Sequence, residues 1–325
     1  MPSPTPPHML TDQGLEPRLR PLVKLARRRG NDLSIPMATR RAEGARLARA
    51  GGWMAMRPGL APAATTDHLI PVAGGQINVR IMRPPGTGPC PLYVFLHGGG
   101  WCVGGLEERD PRCRAISAGA QCVVASVDYR LAPENQFPTA PEDCYAALCH
   151  LVEHAVELDI DPDRVAIGGE SAGGNLAAAV CLMSRDRQGP RLCHQWLDVP
   201  QTDATFSQAG HREVPDGYLL DAGTIRDFLV HYLADPADAT NPYCSPLLAE
   251  DLSGLPPAWI MTAEFDQLRG DGKAYAEALS AAGVPAHHVR LAGHIHPSFA
   301  FTRLLASSRA YEADAIAALA AALAP

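Results

Sequence analysis

One serine stands in a pattern that could supply a nucleophile. The stretch "RVAIGGESAGGNLAAAV" at 164–180 contains G-x-S-x-G, with Ser171 at its centre. An apolar strand pattern precedes the serine and a helical pattern follows it, which predicts a sharp turn that exposes the hydroxyl at its tip. Flanking glycines would let the strand and the helix pass close together. A glycine turn without catalytic function would show the same five letters, but the strand-turn-helix context favours a nucleophile.

A glycine-rich stretch could stabilise the negative charge that forms when such a serine attacks a carbonyl. In "YVFLHGGGWCVGG" (93–105), three glycines follow an apolar strand. Backbone N–H groups of Gly98 and Gly99 could point at one oxygen without a Cβ in the way, and Ala172 could supply a third donor. A phosphate-binding loop is the alternative, but the Lys-Ser/Thr ending of such loops is absent. We expect His97 to shape this loop.

The base and its acidic partner are ambiguous from the residues alone. "LAGHIHPSFAF" (291–301) contains His294 and His296, whose side chains would tend to point apart. Three acids, Glu264, Asp266 and Asp271, follow a predicted strand and could orient an imidazole. For Asp271, which opens the next helix, a helix-capping role is the competing interpretation.

These groups require a sheet whose strands end at a common edge. Short apolar runs at 91–96, 122–129, 164–169, 258–263 and 288–293 predict strands, and helical patterns lie between them. This alternation predicts an α/β fold with a mostly parallel sheet and helices on both faces. Residues 1–10 are expected to be disordered. We predict a helical cap segment at 1–60 and a catalytic domain at 61–325, with a second cap insertion at about 203–245.

Composition indicates an ordinary soluble globular protein, and a cytoplasmic enzyme is the simplest interpretation. The 325 residues are 46% apolar, and the nine cysteines lack a repeated spacing, as expected for reduced thiols in the cytoplasm. No signal peptide or membrane span is predicted. Residues 1–60 carry a net charge of +7 against −14 for the remainder. A helix face docked on an acidic body explains this asymmetry better than a membrane or nucleic-acid partner.

Five motifs in order carry a family resemblance. The stretches "HGGGW", "VDYRLAPENQFPTAPEDC", "GESAGG", "TAEFDQLRGDG" and "GHIHPSF" lie between about Ile70 and Phe301. In them the chain resembles the bacterial hormone-sensitive-lipase-like (family IV) carboxylesterases of the α/β-hydrolase superfamily. The resemblance implies a catalytic triad of Ser171, Asp266 and His296, because the family's G-x-I-H pattern selects the second histidine.

The resemblance also implies the reaction. We expect a serine ester hydrolase that acts on small-molecule short- to medium-chain acyl esters without a cofactor or metal, with a homodimer possible. An amidase or deacetylase and an acyltransferase are alternatives that would use the same triad. A ligand-binding receptor of this fold is a different class, against which the retained His296 argues. "HLVEH" (150–154) matches a zinc-peptidase pattern, but the five esterase motifs outweigh it.

A further set of side chains is expected to form the substrate cleft. We predict that Trp101, Cys102, Tyr218 and Leu219 line it, together with Trp53 and Phe206.

Overall fold

A single sheet organises the chain. The computed structural model describes residues 10–47 and 55–325, so residues 1–9 and Trp53 lie outside the described residues. The strands are β1 Ala64–Val72, β2 Gly75–Arg83, β3 Cys90–Leu96, β4 Val123–Asp128, β5 Ile160–Glu170, β6 His194–Asp198, β7 Ala258–Phe265 and β8 Ala286–Ile295. The helices are α1 Arg20–Arg29, α2 Met37–Leu47, α3 Leu106–Ala120, α4 Thr139–Glu153, α5 Ala172–Asp186, α6 Gly210–Glu213, α7 Ala222–Tyr232, α8 Arg269–Ala281 and α9 Ala306–Ala322.

The eight strands lie in the order β1-β2-β4-β3-β5-β6-β7-β8. Strand β2 is antiparallel to β1 and β4, and every other pair is parallel. The predicted α/β fold with a mostly parallel sheet is confirmed. Strands β1, β2 and β6 were not predicted: β1 is an edge strand with many exposed residues, and β6 has only five residues. Both patterns are too weak to distinguish a strand from a loop, whereas the alternation of Ile77, Val79 and Ile81 in β2 was a usable signal that was missed.

Helices cover both faces of the sheet. Along β3, Val94 and Leu96 face one apolar cluster, and Tyr93 and Phe95 face another. Helices α4, α5 and α8 contribute to the first cluster, whereas α3 and α9 contribute to the second. Because alternate residues of a strand point to opposite faces, a fully apolar strand such as β3 is stable only when both faces are covered.

Helices α1 and α2 contact the 203–245 insertion. In α1, Val23 is buried in a cluster with Tyr218 of the insertion. In α2, Arg40 pairs with Asp227 of α7 at 2.6 Å. The Arg40–Asp227 ion pair agrees with a basic segment docked on an acidic partner. The division into cap and catalytic parts stays a prediction. In the described part of the chain, no helix is both long and apolar enough to cross a membrane.

Close packing in the centre of the sheet gives a testable prediction. Gly168 of β5 lies between β3 and β6, and a Cβ there would lie well inside 3.0 Å of the Tyr93 hydroxyl and the Trp196 carbonyl oxygen. We expect Gly168→Ala to lower the free energy of unfolding by about 2–3 kcal/mol, measured by urea denaturation, because this overpacked site cannot relax.

The matched control is Gly223→Ala in α7, where the nearest atom to a new Cβ is 3.7 Å away. This change should leave stability unchanged or raise it by up to about 1 kcal/mol, because alanine favours helix. Equal denaturation midpoints for the two variants would contradict the packing argument.

Candidate active site

The turn at Ser171 has the backbone that the sequence predicts. Ser171 lies between β5 and α5 with φ 56° and ψ −118°, an unfavourable conformation for a residue with a side chain. Its N–H donates to the Asp198 carbonyl oxygen at 2.8 Å, which ties the turn to the end of β6. A Cβ at Gly169 or Gly173 would lie well inside 3.0 Å of the Leu96 carbonyl oxygen. The flanking glycines are therefore required, because the end of β3 passes directly against the turn.

The predicted acid and the predicted base lie at the ends of adjacent parallel strands. Phe265 of β7 pairs with Ile295 of β8, so the next residues, Asp266 and His296, are neighbours. The distance from His296 Nδ1 to Asp266 Oδ2 is 2.8 Å. The Asp266 side chain is buried, and its other oxygen accepts from the Leu268 N–H at 3.0 Å. The carboxylate is fixed from two sides and can hold one imidazole orientation.

The two histidines of "GHIHPSF" have different surroundings. His296 lines the same cavity as Ser171. His294 is buried, with its Nδ1 2.9 Å from the Ser298 hydroxyl and its Nε2 2.8 Å from the Ser307 hydroxyl. Burial lowers the pKa of His294, which favours a neutral ring bonded to two serines. The structure brings His296, and not His294, together with Ser171 and Asp266.

The glycine loop lies at the same cavity. Gly98 and Gly99 line it, and Ala172 is the first residue of α5, where backbone N–H groups are not used within the helix. Gly99 has φ 127°, and a Cβ there would overlap the Val103 carbonyl oxygen. The loop can therefore present its backbone only with glycine at this position. These are the three predicted oxyanion donors.

His97 packs against this glycine loop. Its ring is buried, stacks on Tyr129 with centroids 4.4 Å apart, and places Nδ1 2.8 Å from the Gly98 carbonyl oxygen. Burial lowers the pKa of His97 to about 4, so the ring stays neutral at physiological pH. This environment agrees with the expected role in loop shape.

The cavity has a volume of about 580 Å³ and mostly apolar walls. Its apolar lining includes Met56, Val199, Leu220, Ile225, Phe228, Leu268, Phe299 and Phe301. The walls come from the 1–60 segment, from the 203–245 insertion and from the loops after β6, β7 and β8. Such a space suits a small organic molecule.

The predicted cleft residues Trp101, Cys102, Tyr218, Leu219 and Phe206 are not among those that line the cavity. Trp101 is fully buried and stacks on Tyr232 with centroids 4.3 Å apart, and Tyr218 is buried in the cluster with α1. Chain neighbours of the predicted residues, Gly100 and Leu220, do line the cavity. The sequence located the right segments, but it did not determine which residue in each segment faces inward.

Comparison with known proteins identifies the family. A family model described as the alpha/beta hydrolase fold matches residues 93–300. The chain belongs to this alpha/beta hydrolase family. The carboxylic ester hydrolase LipN of Mycobacterium tuberculosis is 48% identical over 224 residues, which cover 67% of this chain and 60% of LipN. The carboxylesterase NlhH of the same organism is 46% identical over 213 residues, 64% of this chain and 67% of NlhH.

A solved structure covers more of this hydrolase. The crystal structure of EstE1, a thermophilic carboxylesterase cloned from a metagenomic library, matches with a TM-score of 0.86 at 38% identity. The match covers 91% of this chain and 100% of EstE1. The predicted resemblance and the carboxylesterase assignment are confirmed. The roles of the individual site residues stay predictions.

Sequence reasoning missed a buried ionic network beside the turn at Ser171. Glu170, one residue before Ser171, accepts from Arg109 of α3 and lies 3.7 Å from Arg112 of the same helix. Arg112 also pairs with Asp198 at the end of β6. Burial opposes the ionisation of Glu170, but the two arginines outweigh it and lower its pKa. The network joins α3, β5 and β6 around the turn.

One signal in the sequence could have pointed to this network. An acid in an otherwise apolar strand needs a buried cation. Arg109 and Arg112, three positions apart on a predicted helix, share a face and could have been proposed as its partners.

The two competing acids accept hydrogen bonds from backbone N–H groups and form none with the imidazole of His296. Glu264 accepts from the Gly293 N–H at 2.8 Å. Asp271 accepts from the N–H groups of Thr202 and Asp203 at 3.2 and 3.1 Å, so it anchors the segment after β6 and does not cap its own helix. His211 of α6 lies 3.3 Å from the other Asp271 oxygen.

The "HLVEH" stretch lies at the end of α4. Its two imidazoles, His150 and His154, stack with centroids 3.9 Å apart. Across residues 10–47 and 55–325, no group of three or more His, Cys, Asp or Glu side chains is arranged to hold a metal ion.

The two histidines can be separated by mutation. We expect His296→Ala to lower kcat/KM for a p-nitrophenyl ester by roughly 10⁴-fold or more, because it removes the predicted base. His294→Ala should keep turnover within about threefold. It should also lower the free energy of unfolding by about 1–3 kcal/mol, because two serine hydroxyls lose a partner. The reverse pattern of activities would contradict the assignment.

Asp271 gives a prediction for stability against pH. Burial raises its pKa from 3.8 to about 6 despite His211, so the native protein loses stability as pH rises through this range. Replacing the Asp271 carboxyl group with the amide of asparagine removes this titration. Between pH 4 and pH 7.5, the unfolding free energy of Asp271→Asn should therefore rise relative to wild type by roughly 2 kcal/mol. Parallel pH curves from urea titrations would contradict a raised pKa.

Proposed function

We propose that this carboxylesterase hydrolyses small esters through a covalent acyl-serine intermediate. Ser171 attacks the ester carbonyl while His296 takes the hydroxyl proton and then delivers it to the leaving alcohol. Asp266 holds the imidazole in one tautomer and stabilises its cation. The observation that carries the proposal is the Asp266–His296 contact of 2.8 Å at the cavity that Ser171 also lines.

The glycine loop completes the proposed chemistry. N–H groups of Gly98, Gly99 and Ala172 receive the carbonyl oxygen as it becomes negatively charged. Because these are backbone donors held by close packing, they need little reorganisation during the reaction. Water then attacks the acyl-enzyme with His296 as base, and the acid product leaves. None of these steps calls for a metal or an organic cofactor.

We assign short- to medium-chain acyl esters as the substrate class. A largely apolar cavity of about 580 Å³ supports this assignment. Met56 from the N-terminal segment and Leu220, Ile225 and Phe228 from the 203–245 insertion form part of its wall. This supports a cap function for both segments, which would limit the length of chain that fits.

Two further proposals concern location and assembly. All nine cysteines are unpaired, which supports a reducing compartment such as the cytoplasm.

Strand β8 is an edge of the sheet, and an unpaired edge can add the same strand of a second copy. A homodimer through β8 would double the single-chain mass in light scattering.

The activity is tested with p-nitrophenyl esters from acetate to palmitate. We expect turnover to be highest between acetate and hexanoate and to fall about tenfold or more by dodecanoate, because longer chains exceed the cavity. A fluorophosphonate should label the wild-type protein at Ser171 and should not label Ser171→Ala. An absence of both turnover and labelling would refute the enzyme and favour a receptor. Faster turnover of simple amides than of matched esters would favour the amidase alternative.

A further inference from the structure

The cavity wall contains one amide side chain that the proposed mechanism does not use. Gln201, in the segment after β6, lines the cavity and is only 4% exposed. Its Nε2 is buried and has no hydrogen-bond partner in the described part of the chain. A buried N–H donor without an acceptor costs about 1–3 kcal/mol. An apolar residue at this position would avoid that cost.

The backbone of Gln201 is fixed to the nucleophile turn. Its carbonyl oxygen accepts from the Asn175 side chain of α5 at 2.8 Å, and its N–H approaches the Ser171 carbonyl oxygen at 3.5 Å. The following residue, Thr202, is held by Asp271 through both its N–H and its hydroxyl. The amide is therefore attached to a rigid segment beside the reacting serine.

Nearby side chains give the amide an apolar setting. Val199, two residues earlier, lines the same cavity, as do Leu220, Ile225 and Leu268. In such surroundings a hydrogen bond to a substrate is stronger than in water, and an unpaired amide disfavours a substrate that lacks an acceptor. Hydrocarbon chains alone leave the amide unpaired.

We propose that Gln201 determines specificity: its amide group, whose Nε2 is not exposed at the cavity surface, turns toward the bound substrate and donates a hydrogen bond to an acceptor oxygen. The preferred esters then carry a keto, ether or hydroxyl oxygen within a few bonds of the scissile carbonyl. This inference rests on the proposed ester hydrolysis and narrows its substrate class from plain alkyl esters to oxygen-substituted ones.

The test compares matched esters with the wild type and Gln201→Met, which keeps a similar side-chain size without the amide. One pair places the oxygen in the acyl part, p-nitrophenyl 4-oxopentanoate against p-nitrophenyl pentanoate. The other places it in the alcohol, 2-methoxyethyl butyrate against butyl butyrate. For each pair, the preference is the kcat/KM for the oxygen-bearing ester divided by the kcat/KM for the plain ester. The preference of the variant is then divided by the preference of the wild type, so that the intrinsic reactivity of the two esters cancels.

In at least one pair, the preference for the oxygen-bearing ester should fall about tenfold in Gln201→Met, the effect of one hydrogen bond. Turnover of the plain ester should fall less than turnover of its oxygen-bearing partner, because the plain ester forms no hydrogen bond with the amide. Gln201→Glu, which keeps the size and replaces the donor by an acceptor, should reduce the preference at least as much. A loss confined to one pair would show which part of the ester the amide contacts.

Leu220→Met is the matched control, because it alters the same apolar wall without removing a polar group. It should leave both ratios unchanged. If Gln201→Met slows both members of each pair equally, Gln201 has only a structural role and the proposal is wrong. Unchanged kinetics would also overturn it. Failure of the wild type to hydrolyse pentanoate or butyrate esters would instead refute the proposed function.

Discussion

The close approach of three backbones at Ser171 is the constraint on which the site depends. The carboxyl end of β3 lies against the turn between β5 and α5, so that neither Gly169 nor Gly173 has room for a Cβ beside the Leu96 carbonyl oxygen. This contact places the glycine loop after β3 next to the serine. It also holds the serine in an unfavourable backbone conformation, which only a well-packed surrounding can maintain.

Buried charges stabilise that arrangement from two directions. On one side, Asp266 is held by a backbone N–H and by His296, so that a single carboxylate fixes the imidazole. On the other, Glu170 and Asp198 share the guanidinium groups of α3. Removing one partner of such a pair leaves an uncompensated charge in a medium of low dielectric constant, which is costly. The ion pairs therefore favour one geometry of the turn more than they add to overall stability.

The cavity is assembled from segments that are distant in the chain. Met56 comes from before the sheet, Phe228 from the insertion between β6 and β7, and Phe299 from the turn after β8. Close to the reacting groups the backbone is fixed by glycines and ion pairs, whereas the more distant wall is built by apolar packing. Gln201 lies where these two environments meet, because its backbone is bonded to the turn at Ser171 and its side chain lies beside the apolar wall.

The sequence by itself determined the elements whose signal is local. Strands β3, β4, β5, β7 and β8 follow from apolar runs, and the turn at Ser171 follows from glycine spacing, because steric limits on the backbone act over a few residues. Strands β1 and β6 could not be predicted, since an exposed edge and a five-residue strand carry little periodicity. The alternation of Ile77, Val79 and Ile81 in β2 is a local signal that sequence reasoning missed. The residues alone left two histidines and three acids as candidates, and family resemblance chose between them.

Only the tertiary structure decided which side chains meet: the pairing of Phe265 with Ile295 joins Asp266 to His296, and the cavity is lined by Leu220 where Leu219 was predicted. The direction of a side chain in a loop depends on packing against distant segments, and no local pattern encodes it.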